Sequence, residues 1–341
     1  MAKITNREIA KLVGVSPSAV SIAINGKKGI SEDTRAKILT IARQYNYFTG
    51  SDSVKVVQKR STYIAALFRT DTQLKDQVFY TEILEYAMPL CRKLGLTLVT
   101  TFMSVDDSSL DLPQAIRNGD VDGVLIFGDQ NPRIYAELNH LGVPFVILDS
   151  CQPDNAYPSV FVDYSMAAYL ATRYLLDLGH RDIIYLSNGS LHAFNTLVLN
   201  GFQKATSECN ITLYPNRFQL SIEDEKNIRA CLERALSGPC MPTAIFCSVD
   251  YYALRVMRAL NAMGLRIPDD ISMISIDDIN VARLITPALS TVHINREELL
   301  QDGIDMLLAM IKGKSVSSKK LSVPELQIRE TTKGIIPTQQ A

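Results

Sequence analysis

Hydrophobic positions follow two different rhythms along this chain. Over residues 5–44 they recur three or four apart, the spacing of one helix face. Ile9 and Leu12, with Val13 beside them, predict a first helix, Val20 and Ile24 a second, and Ile38, Leu39, Ile41 and Ala42 a third. Local signals bound each one. Thr5 and Glu8 form a capping box ahead of the first helix. Gly14 is placed to end that helix in the left-handed conformation. Ser16 and Pro17 suit the cap and first position of the second. Ser31, followed by Glu32 and Asp33, suits the start of the third. Two short helices joined by such a turn form a helix-turn-helix, the motif that lays its second helix in the DNA major groove.

From Thr62 the rhythm changes. Apolar runs at 63–68, 96–103, 123–127 and 145–149 predict buried strands, with helices between them over 80–94, 110–118 and 132–141. The pattern then restarts, with strands at 183–187, 218–220, 244–248 and 273–276. These alternate with helices over 165–178, 194–207, 224–236 and 251–263. Continuous apolar strands spaced by helices imply doubly wound parallel sheets. Two series of similar length imply two α/β lobes rather than one wide sheet. Ligands of such sheets bind beyond the carboxyl ends of the strands, so the cleft between the lobes is the expected ligand site.

Charge separates the two parts. Residues 1–60 carry eleven basic and four acidic side chains, a balance of +7, while the rest carries 24 and 32, a balance of −8. The whole-chain value of −1 hides this asymmetry. A basic head is what a phosphate backbone attracts through counterion release. The chain has 341 residues and is 47% hydrophobic, enough for large cores. It has no apolar stretch long enough to span a bilayer and no apolar signal region at Met1–Glu8, so a cytoplasmic protein is expected. The six cysteines are scattered, which predicts reduced thiols, and the four histidines show no zinc spacing. No G-x-S-x-G, H-E-x-x-H, P-loop or dinucleotide fingerprint appears, so neither an enzyme nor a cofactor is expected. Asp277 and Asp278 are adjacent at a predicted strand end. Such neighbours usually diverge, which favours a turn or ligand-binding role over an acid/base pair.

The order of parts resembles the LacI/GalR family of bacterial transcription regulators across almost the whole chain. The resemblance rests on Ile9-Ala10, Gly14-Val15-Ser16, Val20-Ser21 and Asn25 in the head. In the body it rests on Val121–Ile126, Gly142–Val146, Ala168–Thr172, Leu178–Arg181, Pro242–Phe246, Gly264–Ser272, Asp277–Ile279, Thr286–Val292 and Arg329–Thr332. It implies a repressor acting as a homodimer, or a tetramer, on a palindromic operator. It also implies a periplasmic-binding-protein-like core that closes on a small effector, most simply a sugar. By analogy residues 1–48 form the DNA-binding domain, 49–61 a hinge, and 62–341 the effector-binding and dimerisation core. The chain would cross between lobes near 160–163, 292–295 and 321–324. Lobe one is then about 62–161 plus 293–321, and lobe two about 162–292 plus 322–341. DNA contacts are implied for Thr5, Asn6, Ser16, Pro17, Ser18, Ser21, Ile22, Asn25, Lys28 and, in the hinge, Val56. Effector contacts are implied for Phe79, Asp149, Asn195, Asp250 and Asp277.

Three departures from the family pattern stand out. The hinge motif P-x-x-x-A-R-x-L, which wedges a Leu into the minor groove, reads Thr49–Val57 here, with Ser53-Val54 for Ala-Arg and Val56 for the Leu. On the recognition helix Pro17, Ser18 and Ile22 replace larger polar residues. Ile22 can touch a thymine methyl but cannot hydrogen-bond a base edge. In the cleft, Val198 stands where many members place an effector-binding Arg, Val249-Asp250 replaces Asn-Asp, and Gln77-Val78-Phe79-Tyr80 replaces Asn-Pro-Phe-Phe. A core that only dimerises, without effector control, and a solute-binding protein are the competing readings.

Overall fold

The computed structural model describes residues 5–24, 29–45, 62–69, 74–103, 112–152, 154–187, 193–219, 225–237 and 241–335. The chain divides into two units, Met1–Ser61 and Thr62–Ala341.

The first unit holds α1 (Asn6–Val13), α2 (Pro17–Ile24) and α3 (Glu32–Gln44). The capping box forms reciprocally. The Thr5 N–H donates to Glu8 Oε2 at 2.7 Å, and the Glu8 N–H donates to Thr5 Oγ1 at 3.4 Å. Gly14 ends α1 at φ 75°, a conformation that costs a residue with a Cβ about 1 kcal/mol or more. Ile9, Ala10, Val20, Ala23, Ile38 and Ala42 are buried together. Leu12 departs from expectation and is 52% exposed. Ile9, Ala10 and Val13 fix the inward direction of α1, and at 100° per residue Leu12 falls on the flank beyond it. The last carbonyls of α2 have no intrahelical donors. Arg35 Nη1 supplies one, at 3.4 Å to Ile22 O and 3.2 Å to Ala23 O, and puts its charge at the negative end of the helix dipole.

The second unit begins β1 (Thr62–Arg69), α4 (Leu74–Leu94), β2 (Leu96–Met103), α5 (Gln114–Arg117), β3 (Gly123–Phe127), α6 (Pro132–His140), β4 (Phe145–Ser150) and β5 (Ser159–Val162). It continues α7 (Tyr164–Asp177), β6 (Ile183–Leu186), α8 (Ala193–Glu208), β7 (Phe218–Gln219), α9 (Glu225–Leu236), β8 (Ala244–Cys247), α10 (Asp250–Ala262) and β9 (Ser272–Asp277). It ends α11 (Asn280–Leu284), β10 (Ser290–His293), α12 (Arg296–Ile311), β11 (Lys319–Ser322) and β12 (Glu325–Gln327). Two six-stranded sheets result, ordered β11-β5-β4-β3-β1-β2 and β12-β10-β9-β8-β6-β7. Every pairing is parallel except β12 on β10. The central strands β3, β6 and β8 are buried along their whole length, as strands covered on both faces must be.

The doubly wound parallel architecture expected from the sequence is therefore present, with four additional strands, β5, β10, β11 and β12. Each is three or four residues long. β11 reads Lys-Lys-Leu-Ser, and so short a polar edge segment carries no periodic signal. Helix α12 was not anticipated either, although Leu300, Ile304 and Leu307 recur at helical spacing and are buried. It packs on α4, β3 and β4, so the chain returns to lobe one after β10. The three crossings lie between β5 and α7, between β10 and α12, and between β11 and β12. Lobe two is braced at its base by the buried His180. Its Nδ1 faces Thr243 Oγ1 at 2.9 Å and its Nε2 faces the Lys333 carbonyl at 3.1 Å. Burial depresses the His180 pKa. Among the described residues no helix is long and apolar enough to cross a membrane.

Candidate functional site

In the head, the second helix of the helix-turn-helix presents a small, neutral surface. Ser16, Pro17 and Ser18 are exposed, whereas Ser21 and Ile22 are half-buried. Ser16 Oγ accepts the Ala19 N–H at 3.2 Å and shares a hydrogen bond with Ser18 Oγ at 2.8 Å. The two hydroxyls are thus positioned as a pair at the start of α2. Ile22 lies beside Gly29, where its Cδ1 would meet an added Cβ at 3.7 Å. One side of Ile22 is therefore packing and the other is open. Helix α2 carries no charge of its own. Arg7 and Lys11 of α1 and Lys37 of α3 are exposed and supply cations for phosphates. Thr5 is exposed, and Asn6 Oδ1 is buried with no hydrogen-bond partner. Asn25, Lys28 and Val56 lie outside the described residues, as does the whole hinge.

In the core, the strand ends that face between the lobes carry strained backbone. Asp149 at the end of β4 has φ 60°, and Asp277 and Asp278 at the end of β9 have φ 122° and 57°. Each such residue costs on the order of 1–3 kcal/mol and persists only where its surroundings hold it, which marks these turns as functional candidates.

What holds the second turn is Arg296, the first residue of α12. It is 2% exposed. Its guanidinium donates to the carbonyls of Asp277 and Asp278, the latter at 2.6 Å. It also pairs with Glu82 of α4 at 3.1 Å and lies over the Phe79 ring, 5.3 Å from its centroid. Glu82 accepts the Asn280 N–H of α11 at 2.8 Å. Burial pushes the Glu82 pKa up, although Asn280 and Arg296 oppose it. This cluster ties lobe one to lobe two and brings the expected residues Phe79 and Asp277 together.

Asp149 joins the lobes at a second point. Its carboxylate accepts from Tyr80 Oη of α4 at 3.1 Å and from Tyr164 Oη at the start of α7 at 2.6 Å. Tyr164 lies edge-on to Phe194 of α8, with ring centroids 4.7 Å apart. Burial raises the Tyr164 phenol well above its ordinary pKa, and the Asp149 charge raises it further. Asn195 sits one residue on from Phe194 and accepts the Ser187 hydroxyl at 3.0 Å. Val198 is fully buried in the core of α8 and offers nothing to an anionic ligand.

Asp250, also expected at the cleft, occupies a different place. It is fully buried. Its carboxylate accepts from Ser275 Oγ, from Thr291 Oγ1 at 2.6 Å and from the Ile279 N–H at 2.9 Å. Burial lifts its pKa to about 6 despite those donors. Three internal donors make it a brace beneath the β9 turn rather than a surface for a ligand. The adjacent Asp278 is equally committed, and it does not pair with Asp277 for acid/base work. Burial works against its charge, but His293 at 3.0 Å, Arg329 and Arg283 at 2.8 Å outweigh that and hold its pKa at about 2. Glu82, Tyr164, Phe194 and Arg296 were not legible as site residues. They gain their roles only when segments distant in sequence meet.

Comparison with known proteins gives concordant results. Residues 5–49 match the family described as "Bacterial regulatory proteins, lacI family", and residues 172–332 match "Periplasmic binding protein-like domain". The HTH-type transcriptional repressor PurR of Vibrio vulnificus is 30% identical over 337 residues, covering 97% of this chain and 99% of that protein. The ribose operon repressor of Haemophilus influenzae is 30% identical over 330 residues, covering 96% and 98%. Among solved structures, the lac repressor dimer bound to operator and the anti-inducer ONPF aligns with a TM-score of 0.72 at 22% identity, covering 98% of this chain and all of that one. A LacI family transcriptional regulator from Enterococcus faecium with bound ribose aligns at 0.68 and 22%, covering 81% of this chain and all of that one.

Proposed function

The chain belongs to the LacI family of bacterial transcription regulators, as a DNA-binding repressor with an effector-binding core, and from that premise we propose how its parts divide the work. Residues 1–48 read a palindromic operator, 49–61 serve as the hinge, and 62–341 dimerise and bind a small effector between the lobes. The observation that carries this reading is the head itself, a capped helix-turn-helix with a balance of +7 joined to a core of −8. Phosphates attract the first and are repelled by the second. Ser16, which caps α2, and Pro17, Ser18, Ser21 and Ile22 of α2 face the bases, assisted by Asn25, Lys28 and, in the hinge, Val56. Thr5 and Asn6 sit at the α1 terminus, where backbone N–H groups suit a phosphate.

A single small head offers too little surface for tight specific binding, so two heads are required. Exposed apolar side chains support a homodimer. Met88 is 70% exposed on α4, and Leu284 is 80% exposed on α11, which α4 contacts through Glu82 and Asn280. Phe102 on the edge strand β2 is exposed as well. The effector is an uncharged ring compound such as a sugar, with hydroxyls taken by Asp277. A buried Val198, in the place of an effector-binding Arg, supports an effector without an anionic group at that position. The protein works in the cytoplasm, where the DNA is.

Selection from a random DNA pool tests the reading. An inverted repeat should emerge, and deleting residues 1–61 should abolish DNA binding while leaving a dimeric core. A consensus without twofold symmetry, or DNA binding by the truncated core, refutes it. The bonds that already join the lobes favour a second reading, a core that dimerises without effector control. Calorimetric titration with a panel of sugars and nucleobases separates the two.

A further inference from the structure

The balance of −8 in the core is not spread evenly. Sheet one is parallel throughout, so the starts of β1, β2, β3 and β4 lie at one end of lobe one, with the C-termini of α4, α5 and α6. Helix α12 ends there too, since a Cβ added to Gly123 at the start of β3 would meet Ile311 Cδ1 at 3.1 Å. Thr62 opens β1 at this end, so the chain enters the core there. Helices α4 and α12 pack side by side on one face of the sheet. The first closes with Arg92 and Lys93, and the second is followed by Lys312 and Lys314. All four side chains are exposed, and among the described residues none of them enters an ion pair. At the base of lobe two, by contrast, Arg217, Arg266 and Lys333 are paired with Asp182, Asp270 and Asp269. No carboxylate occurs in residues 91–95 or 308–318. Asp120 and Glu137 belong to the α5 and α6 side of the sheet, and Asp122 already accepts the Tyr63 N–H at 2.8 Å. A helix C-terminus carries only about half a negative charge, so two cations at each exceed what the dipoles attract.

We propose that this end of lobe one is a second DNA-contacting surface, where Lys312 and Lys314, with Arg92 and Lys93, take backbone phosphates of the duplex held by the head. The inference rests on the reading of residues 49–61 as the hinge. Fully extended, that segment spans at most about 45 Å, so the bound duplex stays within reach of the face. Tethering turns contacts too weak to act alone into intramolecular ones. The −8 core without its head is still repelled by DNA, whereas the tethered core adds affinity and salt dependence. Contacts of this kind position a duplex and carry no sequence preference.

The test uses the full-length protein and the inverted repeat selected from the random pool, extended by about ten base pairs, one helical turn, on each side. Fluorescence anisotropy gives Kd from about 50 to 300 mM KCl, and hence the slope of log Kd against log salt. Each phosphate contact contributes about 0.9 to that slope, and a dimer presents the surface twice. Lys312→Gln combined with Lys314→Gln should lower the slope by at least about 1 and weaken binding at least about fivefold at the lowest salt. Lys204→Gln combined with Lys226→Gln removes the same charge from α8 and α9 of lobe two and should leave the slope unchanged. If the first variant does not fold, Arg92→Gln with Lys93→Gln carries the same expectation. An unchanged slope in the folded variant overturns the proposal, even if its melting temperature falls, because a role confined to the helix dipoles gives that result. An equal fall in the lobe-two control overturns it as well. Failure of the unaltered chain to bind the selected repeat overturns instead the reading beneath it.

Discussion

Replacing Arg296 with Met should be among the most damaging single changes in the core, and its cost should depend on pH. The guanidinium is buried and does three things at once. It satisfies the carbonyls of Asp277 and Asp278, two residues held at positive φ, it neutralises Glu82, and it covers Phe79. Met roughly keeps the volume but supplies no donor or charge. Breaking a buried ion pair by removing one partner costs about 3–5 kcal/mol, chiefly because the other charge is stranded. Here that charge is Glu82, left with the Asn280 N–H and the more distant charge of Arg283. The strained turn at Asp277-Asp278 loses its clamp as well, so the upper half of the range is expected at neutral pH. The sign of the pH effect follows from Glu82. Its folded pKa is already above the ordinary 4.5 through burial, and losing Arg296 raises it further. Stability from a carboxyl with a raised pKa is fully present below 4.5 and is lost as pH rises through the folded value. The deficit of Arg296→Met should therefore be small near pH 4.5 and widen toward neutrality. Glu82→Gln in the same background should recover about 1–3 kcal/mol at pH 7, because no charge is then stranded. The chain has no Trp, so urea unfolding is followed by far-UV circular dichroism. A deficit under 1 kcal/mol, or one equal at pH 5 and pH 8, would refute the reasoning.

Other outcomes follow from single contacts. Ile22→Ala should weaken operator binding by about 1–2 kcal/mol and random-sequence binding much less, since the lost contact is with a base methyl; competition assays in fluorescence anisotropy measure both, and equal losses would assign Ile22 to packing against Gly29. Gly201→Ala places a Cβ 2.0 Å from the Ser165 carbonyl oxygen of α7, so it should cost about 1–3 kcal/mol or more and lower the melting temperature. His180 has a depressed pKa, so the unfolded chain binds the proton more readily and stability should fall as pH drops below 6.5. His180→Gln should flatten that slope in melting curves recorded between pH 5 and 7.5.

The head was legible almost residue by residue because its signals are local. Thr5, Glu8, Gly14 and Ser16 each act within four positions of themselves, and the structure shows those caps. Strands such as β3 and β8 were legible because burial on both faces demands an unbroken apolar run. The cleft was legible only in outline. Asp250 and Asp277 look alike in sequence, both acids after an apolar strand. What separates them is whether Ser275, Thr291 and a backbone N–H happen to converge on the carboxylate, and that depends on the register between β9 and β10, whose donors lie 25 to 41 residues beyond Asp250. Tyr164 and Arg296 each open a helix immediately after a lobe crossing, where no periodicity marks them. Their importance lies in reaching back across the crossing.

The three crossings also limit how the lobes can move. At the edge of sheet one the first and third leave from β5 and β11, which are hydrogen-bonded neighbours paired Val162 to Ser322. At the edge of sheet two the second and third run beside β10 and β12, paired His293 to Glu325. The linkage is thus a ribbon of three strands tied at both ends. A single tether would let the lobes swivel about any axis, but a ribbon resists twisting and in-plane shear and yields mainly to bending. The core then has essentially one soft coordinate, and whatever binds in the cleft is translated into a position along it. Effectors of quite different chemistry can therefore be graded against one another on a single mechanical scale, as a larger or smaller angle of the same hinge.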